Sequence, residues 1–454
     1  MHSKSLSRRR FLQLTAAGTS VLALAACPAP SGAPAPAGGE DAPADAAPGE
    51  VHMLKWSSFV EPADDFMKEQ AAAWGEANNV TVEIETINNN DIPARIAAAI
   101  QSGDGPDIIQ QVDNWGHLYA DSLMDVSGLA EDIDSEFGGF HEDQIAYSKV
   151  GDEWRTVPWT IVGNAHVYRV DWWEETLGRS EWGIDTWDDY MEAAAALKDA
   201  GHPFGNTYAQ SFGDPVTFWY PWLWGHGGQE VNEDGSAVAI NSEETIAAIE
   251  RGITLNETGF VDGVSSWDDG GNNRAYLGGE ISSTVNGASI YFVANRDEVM
   301  TEVDGDILMA SVSDHGLHPT GPAGRFSAQQ ARSHGILNYS SNADSAKALL
   351  LGLTQPEFYD EWMIVSQGYN IGVLNAYNDN AVWEQDAKLL PYRDSIVEGT
   401  SRWAGWPGPP NANAFEVRNN YVVIDMFAKA ISGQMTAEES AEWAAGEIGT
   451  IYGV

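Results

Sequence analysis

With 454 residues and 43% hydrophobic content, including 18 Trp, 15 Tyr and 14 Phe, the chain can bury the cores of two ordinary domains. Its single Cys excludes internal disulfides and cysteine metal sites. The formal net charge of -44 excludes nucleic acid as a partner, because a field of that sign repels phosphate backbones and anionic lipid headgroups.

The chain opens with Ser7-Arg8-Arg9-Arg10-Phe11-Leu12, runs apolar from Phe11 to Ala26, and reaches Leu24-Ala25-Ala26-Cys27. A charged front, a short apolar stretch and a small-residue end make residues 1–27 an export signal. The Arg pair resembles the twin-arginine signal, and Leu-Ala-Ala-Cys resembles a lipobox. That resemblance implies lipidation of Cys27 and a protein held at the outer face of the cytoplasmic membrane. Removing Lys4, Arg8, Arg9 and Arg10, with no acid beside them, leaves -44 - 4 = -48 on the mature chain. Anionic substrates are disfavoured unless a local Arg overrides this field. Asp and Glu are spread over the whole length, as on a surface adapted to high salt, where screening removes most self-repulsion. An ordinary acidic secreted protein is the alternative.

Residues 28–50 are mostly Pro, Ala, Gly and acid, with no hydrophobic periodicity, and are expected to form a disordered tether. The body then begins at Val51. Val51–Trp56 has strand character, and Asp64–Ala77 has helical spacing through Phe66, Met67, Ala73 and Trp74. Val80–Ile84 alternates as a strand, Ile92–Ile100 forms a helix opening at Pro93, and Pro106–Gln110 is a third strand. Strands separated by helices imply a parallel sheet with right-handed crossovers, an α/β architecture. Ligands sit at the carboxyl ends of such strands, which points to the loops after Trp56, Ile87 and Val112, with Asn90 on the second.

Further motifs follow in order: Gly103-Asp104-Gly105-Pro106-Asp107, Val157-Pro158-Trp159 with Val167-Tyr168-Arg169, Asp185-Thr186-Trp187-Asp188, and Tyr276-Leu277-Gly278-Gly279-Glu280 before Asn286-Gly287. Their order from about residue 51 to the end resembles the extracellular solute-binding proteins of family 1, the maltose-binding-like sugar receptors of ABC importers. Glu280 replaces that family's usual Lys, and Ser282-Ser283 its Ala-Met. The resemblance implies a two-lobe periplasmic-binding-protein-like fold with a hinge and an interlobe ligand cleft. One lobe would take 51–163 plus 329–378, the other 164–328 plus 379–454. It further implies a carbohydrate ligand, ABC permease subunits as partners, a monomer, no cofactor and no metal.

A sugar needs aromatic rings for its C–H faces and fixed polar groups for its hydroxyls. Trp115, Trp159, Trp222, Trp267 and Trp403 are candidate platforms, although core packing is the competing role for each. The resemblance places further contacts at Phe59 and Glu61, at Asp113 and Asn114, and at Asp214 leading into Phe218. Asn286 and Tyr291 follow, the stacking ring usual just after Asn-Gly being replaced by Ala288 and Ser289. In Gln329-Gln330-Ala331-Arg332, at the second lobe crossover, Arg332 could pair with a ligand carboxylate, with Asp113, or in a surface salt bridge.

Enzyme readings find little support. Neither a Gly-x-Ser-x-Gly elbow nor a paired-His zinc helix occurs, and no Gly-rich stretch carries the Lys-Ser/Thr of a phosphate loop. With 67 acids, carboxylate pairs are everywhere and diagnose no glycoside hydrolase. A repetitive adhesive protein is disfavoured because no internal repeat is present. The expected function is capture of an uncharged mono- or oligosaccharide for a permease, with a polyol or glycerol-phosphate as the alternative solute.

Overall fold

The computed structural model describes residues 49–301, 307–328 and 330–454. Cys27, the signal segment, nearly all of the tether stretch and Gln329 lie outside the described residues. Strand β1 (Gly49–Trp56) starts two residues before the expected boundary, because its register with β2 (Val80–Ile87) already begins at Gly49 opposite Val80. β3 (Ile108–Val112) lies on the other side of β1, and both pairings are parallel. Helix α1 (Glu61–Asn78) opens with Pro62 in its first turn and ends at Asn79, whose φ is 54°. It buries Ala63, Met67 and Ala71 against the sheet, while α2 (Ile92–Ser102) buries Ile92, Ile96 and Ala99.

Beyond β3 the sheet stops being parallel. β4 (Val157–Val162) is followed by β5 (Ala165–Arg169), β6 (Ser283–Asn286) and β7 (Ser313–Gly316), and the chain returns as β8 (Gln330–Ile336). β8 inserts antiparallel between β3 and β4, and β9 (Asn370–Gly372) adds antiparallel to β4. The six-stranded order is therefore β9-β4-β8-β3-β1-β2, a mixed sheet rather than the wholly parallel one expected. A strand arriving from a second sheet has no helical crossover to fix its direction.

That second sheet is three-stranded, with β5 between β6 and β7 and both pairings antiparallel. The molecule thus has two α/β lobes. The core under the first sheet runs on into Val167, Tyr276 and Ile290 of the second lobe, and a further cluster lies within the second lobe alone. Helix α3 (Trp187–Asp199) starts at a capping box in which Thr186 and Asp189 satisfy each other's backbone N–H groups. Helix α4 (Asp214–His226) is buried from Pro215 to His226, as a helix apolar all round must be. The chain leaves β4 for β5 through Asn164, whose Nδ2 donates to Val162 O at 3.2 Å and Ala328 O at 3.3 Å. One side chain so joins two of the crossovers between the lobes. Among the described residues no helix is long and apolar enough to cross a membrane.

Candidate functional site

A cleft of about 580 Å³ opens where loops from both sheets meet. The first lobe supplies Trp56 and Phe59 from the end of β1, and Asn88, Asn89 and Asn90 from the end of β2. Two of the three strand-end loops expected from the sequence therefore line it. The β1 loop is held by a buried Lys55–Asp64 ion pair and by Ser58 N donating to the same Asp64 at 2.8 Å. Trp56 meets Phe59 and Tyr369 at ring distances of 5.9 and 6.1 Å, which makes an aromatic wall.

The second lobe contributes Gln210, Ser211, Phe212 and Asp214, then Trp267, Asp268 and Asp269, then Asn286 and Ser289. Asp269 organises this side. Its carboxylate accepts Phe212 N at 3.1 Å, Gly213 N at 2.9 Å and Asp214 N at 3.0 Å, fixing the entry to α4. Asp268 pairs with Arg274 at 2.7 Å. The half-buried Asp214 has its acid pushed well above the usual carboxylate range by burial and then by the charges of Asp269 and Asp268. Its Oδ2 has no partner within the protein, and neither atom of the Asn89 amide has one.

Arg332, 1% exposed, lines the same cavity. Its guanidinium lies 4.5 Å from the Trp56 ring centre and 5.9 Å from that of Phe212. Nη2 donates to Gln330 Oε1 at 3.0 Å, whereas Nε and Nη1 have no partner. Burial lowers its pKa to about 10, with the Asp113 charge opposing that shift, so it stays charged at neutral pH.

Of the residues singled out in the sequence, Phe59, Asn90, Asp214, Trp267, Asn286 and Arg332 line the cleft. The others lie elsewhere. Asp113, Asn114 and Trp115 are buried in a seam behind it, at 5%, 0% and 0% exposure. There Asp113 accepts Ala331 N at 2.8 Å and faces Arg418 at 3.1 Å, while Asn114 Nδ2 donates to Asn411 O at 3.3 Å. Burial raises the Asp113 pKa, and Arg418 and then Arg332 oppose that rise. Trp115 packs edge-on to Phe415 and Phe212. Trp159 fills the first lobe core against Tyr359 and Trp362, and Phe218 and Trp222 fill the second against Trp187. Tyr291 donates to Asp386 at 2.6 Å, and the half-buried Trp403 donates from Nε1 to Gly408 O at 2.7 Å. Glu61 is exposed at the rim and pairs with Arg296 at 2.6 Å. Phe212 and Tyr369 were not anticipated; each sits on a loop with no periodic pattern around it. Among the described residues no group of three or more His, Asp or Glu is placed to hold a metal ion.

Residues 69–391 match the sequence family described as bacterial extracellular solute-binding protein. No curated protein sequence matches the chain. Solved structures match over nearly their whole length. Maltose-bound MalE3 of T. maritima is 20% identical with a TM-score of 0.73, the match covering 88% of this chain and 99% of that one. The GacH receptor of Streptomyces glaucescens, solved unliganded and with acarbose, is 16% identical with a TM-score of 0.74 and coverage of 89% and 98%. A sugar transporter of Arthrobacter chlorophenolicus with bound laminaribiose is 14% identical with a TM-score of 0.73 and coverage of 88% and 99%. At these identities the likeness establishes the two-lobe fold, and the family match establishes membership: the chain belongs to the bacterial extracellular solute-binding proteins.

Proposed function

We propose that this chain is the substrate-binding component of an ABC importer, and that it captures a carbohydrate outside the cell and delivers it to the permease. The observation that carries the reading is the lining of the cleft. Rings from both lobes (Trp56, Phe59, Phe212, Trp267, Tyr369) face a set of amides and hydroxyls that includes Asn88, Asn89, Asn90, Gln210 and Asn286. Rings stack on sugar C–H faces, and fixed amides pair with hydroxyls. The size of the cleft suits a mono- or disaccharide. Similar structures bound to maltose, acarbose and laminaribiose support the same class.

In this reading no bond is made or broken. The chain acts as a monomer, with lobes 51–163 plus 329–378 and 164–328 plus 379–454 closing on the ligand and presenting a joint surface to the permease. Cys27 carries a lipid after export through a twin-arginine signal, and the residues from 28 up to the start of β1 at Gly49 serve as the leash. The acidic surface fits a salt-rich exterior. The experiment is thermal shift and Trp fluorescence of the purified protein in high salt against neutral and acidic sugars. One saturable, stabilising sugar is expected. A flat response to every sugar, beside a clear response to an amino acid or inorganic anion, overturns the carbohydrate assignment.

A further inference from the structure

Resting on that carbohydrate reading, we propose that Arg332 is the docking point for a carboxylate on the ligand, so that the sugar this cleft takes is a sugar acid.

Among the described residues Arg332 makes no ion pair within contact distance, and the charges of Asp113 and then Asp269 reach it only from further away. Asp113, just past the end of the interior strand β3, already faces Arg418 at 3.1 Å and accepts the N–H of Ala331 at 2.8 Å. Gln330 takes one bond from Nη2 but carries no charge. Trp56 and Phe212 lie beside the guanidinium, whose Nε and Nη1 are buried without a partner within the protein at the wall of the cavity. A buried charge left in this state is costly, and the cost falls when a partner of opposite charge arrives. A ring hydroxyl supplies an acceptor but no charge. A carboxylate supplies both, in a geometry that matches the guanidinium fork.

The acids lining the cleft make no contact ion pair with Arg332. Asp268 is paired with Arg274 at 2.7 Å, and the charge of Asp269, which three backbone N–H groups hold at the entry to α4, acts on Arg332 from across the cleft. Burial, then the charges of Asp269 and Asp268, raise the Asp214 acid well above the usual carboxylate range, and its Oδ2 has no partner within the protein. Among the described lining residues Arg332 is then the cation without an ion pair in contact. The acidity of the whole surface acts over a longer range, and at molar salt it is screened within about 3 Å.

The test compares matched pairs by calorimetry on the full-length protein: glucose with glucuronate, galactose with galacturonate, and digalactose with digalacturonate. The acid member of at least one pair is expected to bind about 10–100-fold more tightly, the usual worth of a charge-assisted contact. Arg332→Gln should bring the acid-to-neutral affinity ratio of that pair to within about 3-fold of one, whatever it does to the affinity for either member. Arg332→Lys keeps the charge but loses the fork, and should retain part of the preference if the Gln variant fails to fold. Equal or tighter binding of every neutral member by the unaltered protein overturns the assignment, as does an acid preference that survives in folded Arg332→Gln. If neutral sugars bind and acids do not, the carbohydrate reading stands and this inference falls. If ring-less carboxylates such as lactate bind in place of sugars and depend on Arg332, the carbohydrate reading falls and the role of Arg332 stands.

Discussion

In the cleft, the Asn89 amide, one oxygen of Asp214 and two nitrogens of Arg332 have no partner within the protein. In the seam just behind it, Arg418 faces Asp113, Asn114 reaches Asn411, and Trp115 is enclosed by Phe212 and Phe415. Both regions combine Arg, Asp, amides and aromatic rings, yet one is left open to a ligand and the other is closed by the protein itself. Phe212 belongs to both, because the guanidinium of Arg332 lies 5.9 Å from its ring centre and that of Arg418 lies 5.0 Å away. Residue type therefore does not mark a binding site here. Access to the cavity does: Asn89, Asp214 and Arg332 line the cleft, whereas Asn114 Oδ1, Trp115 Nε1 and Arg418 Nη2 equally lack a hydrogen-bond partner and do not.

Substitutions in the seam should strike stability first. Arg418→Ala strands the Asp113 carboxylate in a buried site and should cost about 3–5 kcal/mol, read as a large fall in the urea midpoint. Trp115→Ala empties a fully enclosed ring site and should cost a similar ~3–5 kcal/mol by the same measurement. If either variant keeps its stability but loses ligand, the distinction between seam and cleft is wrong.

Glu230 offers a pH-resolved version. It is wholly buried, accepts Gly405 N at 2.6 Å, and has its acid raised to about 8, chiefly by burial. The folded state then keeps a proton that the unfolded chain releases near pH 4.3, so stability is full below that value and declines as pH rises toward 8. The loss should reach a few kcal/mol, and Glu230→Gln should flatten the slope. A stability profile that instead rises from pH 5 to 8 contradicts the assignment.

Cleft substitutions should do the reverse. Trp267→Ala, at a half-buried ring lining the cavity, should weaken ligand binding about 10–100-fold. Its effect on the melting temperature should be smaller than that of Trp115→Ala. At the rim, Glu61→Gln removes an exposed pair with Arg296 and should shift binding by less than about 1 kcal/mol, an effect lost in high salt. A large shift that persists in salt would mean that Glu61 touches the ligand.

Much of the first lobe was legible from periodicity. The alternation in Val80–Ile84 and the spacing in Asp64–Ala77 gave the right elements, with β1 and α1 running a little longer than expected. The direction of β8 was not legible, since a strand's own pattern says nothing about which neighbour it joins. The Trp residues show the same limit. Trp159 sits in a continuous apolar run, and Trp222 in a helix apolar on every side, which are burial patterns that were available to read. Trp267 sits instead between Ser265-Ser266 and Asp268-Asp269, yet only the meeting of distant loops puts it and Trp56 beside one cavity. Tyr369 and Phe212 are 157 positions apart (369 - 212), a separation across which no local pattern operates.

The amide of Asn164 reaches a carbonyl on each of two neighbouring crossovers. Two strands pinned at one point can bend together but cannot slide past each other. In the proposed closure that link favours rotation about the crossovers over sliding along the interface. Such a joint narrows the set of closed arrangements that thermal motion has to sample. Its loss would be felt as slower capture and a broader ensemble before any change in what is captured.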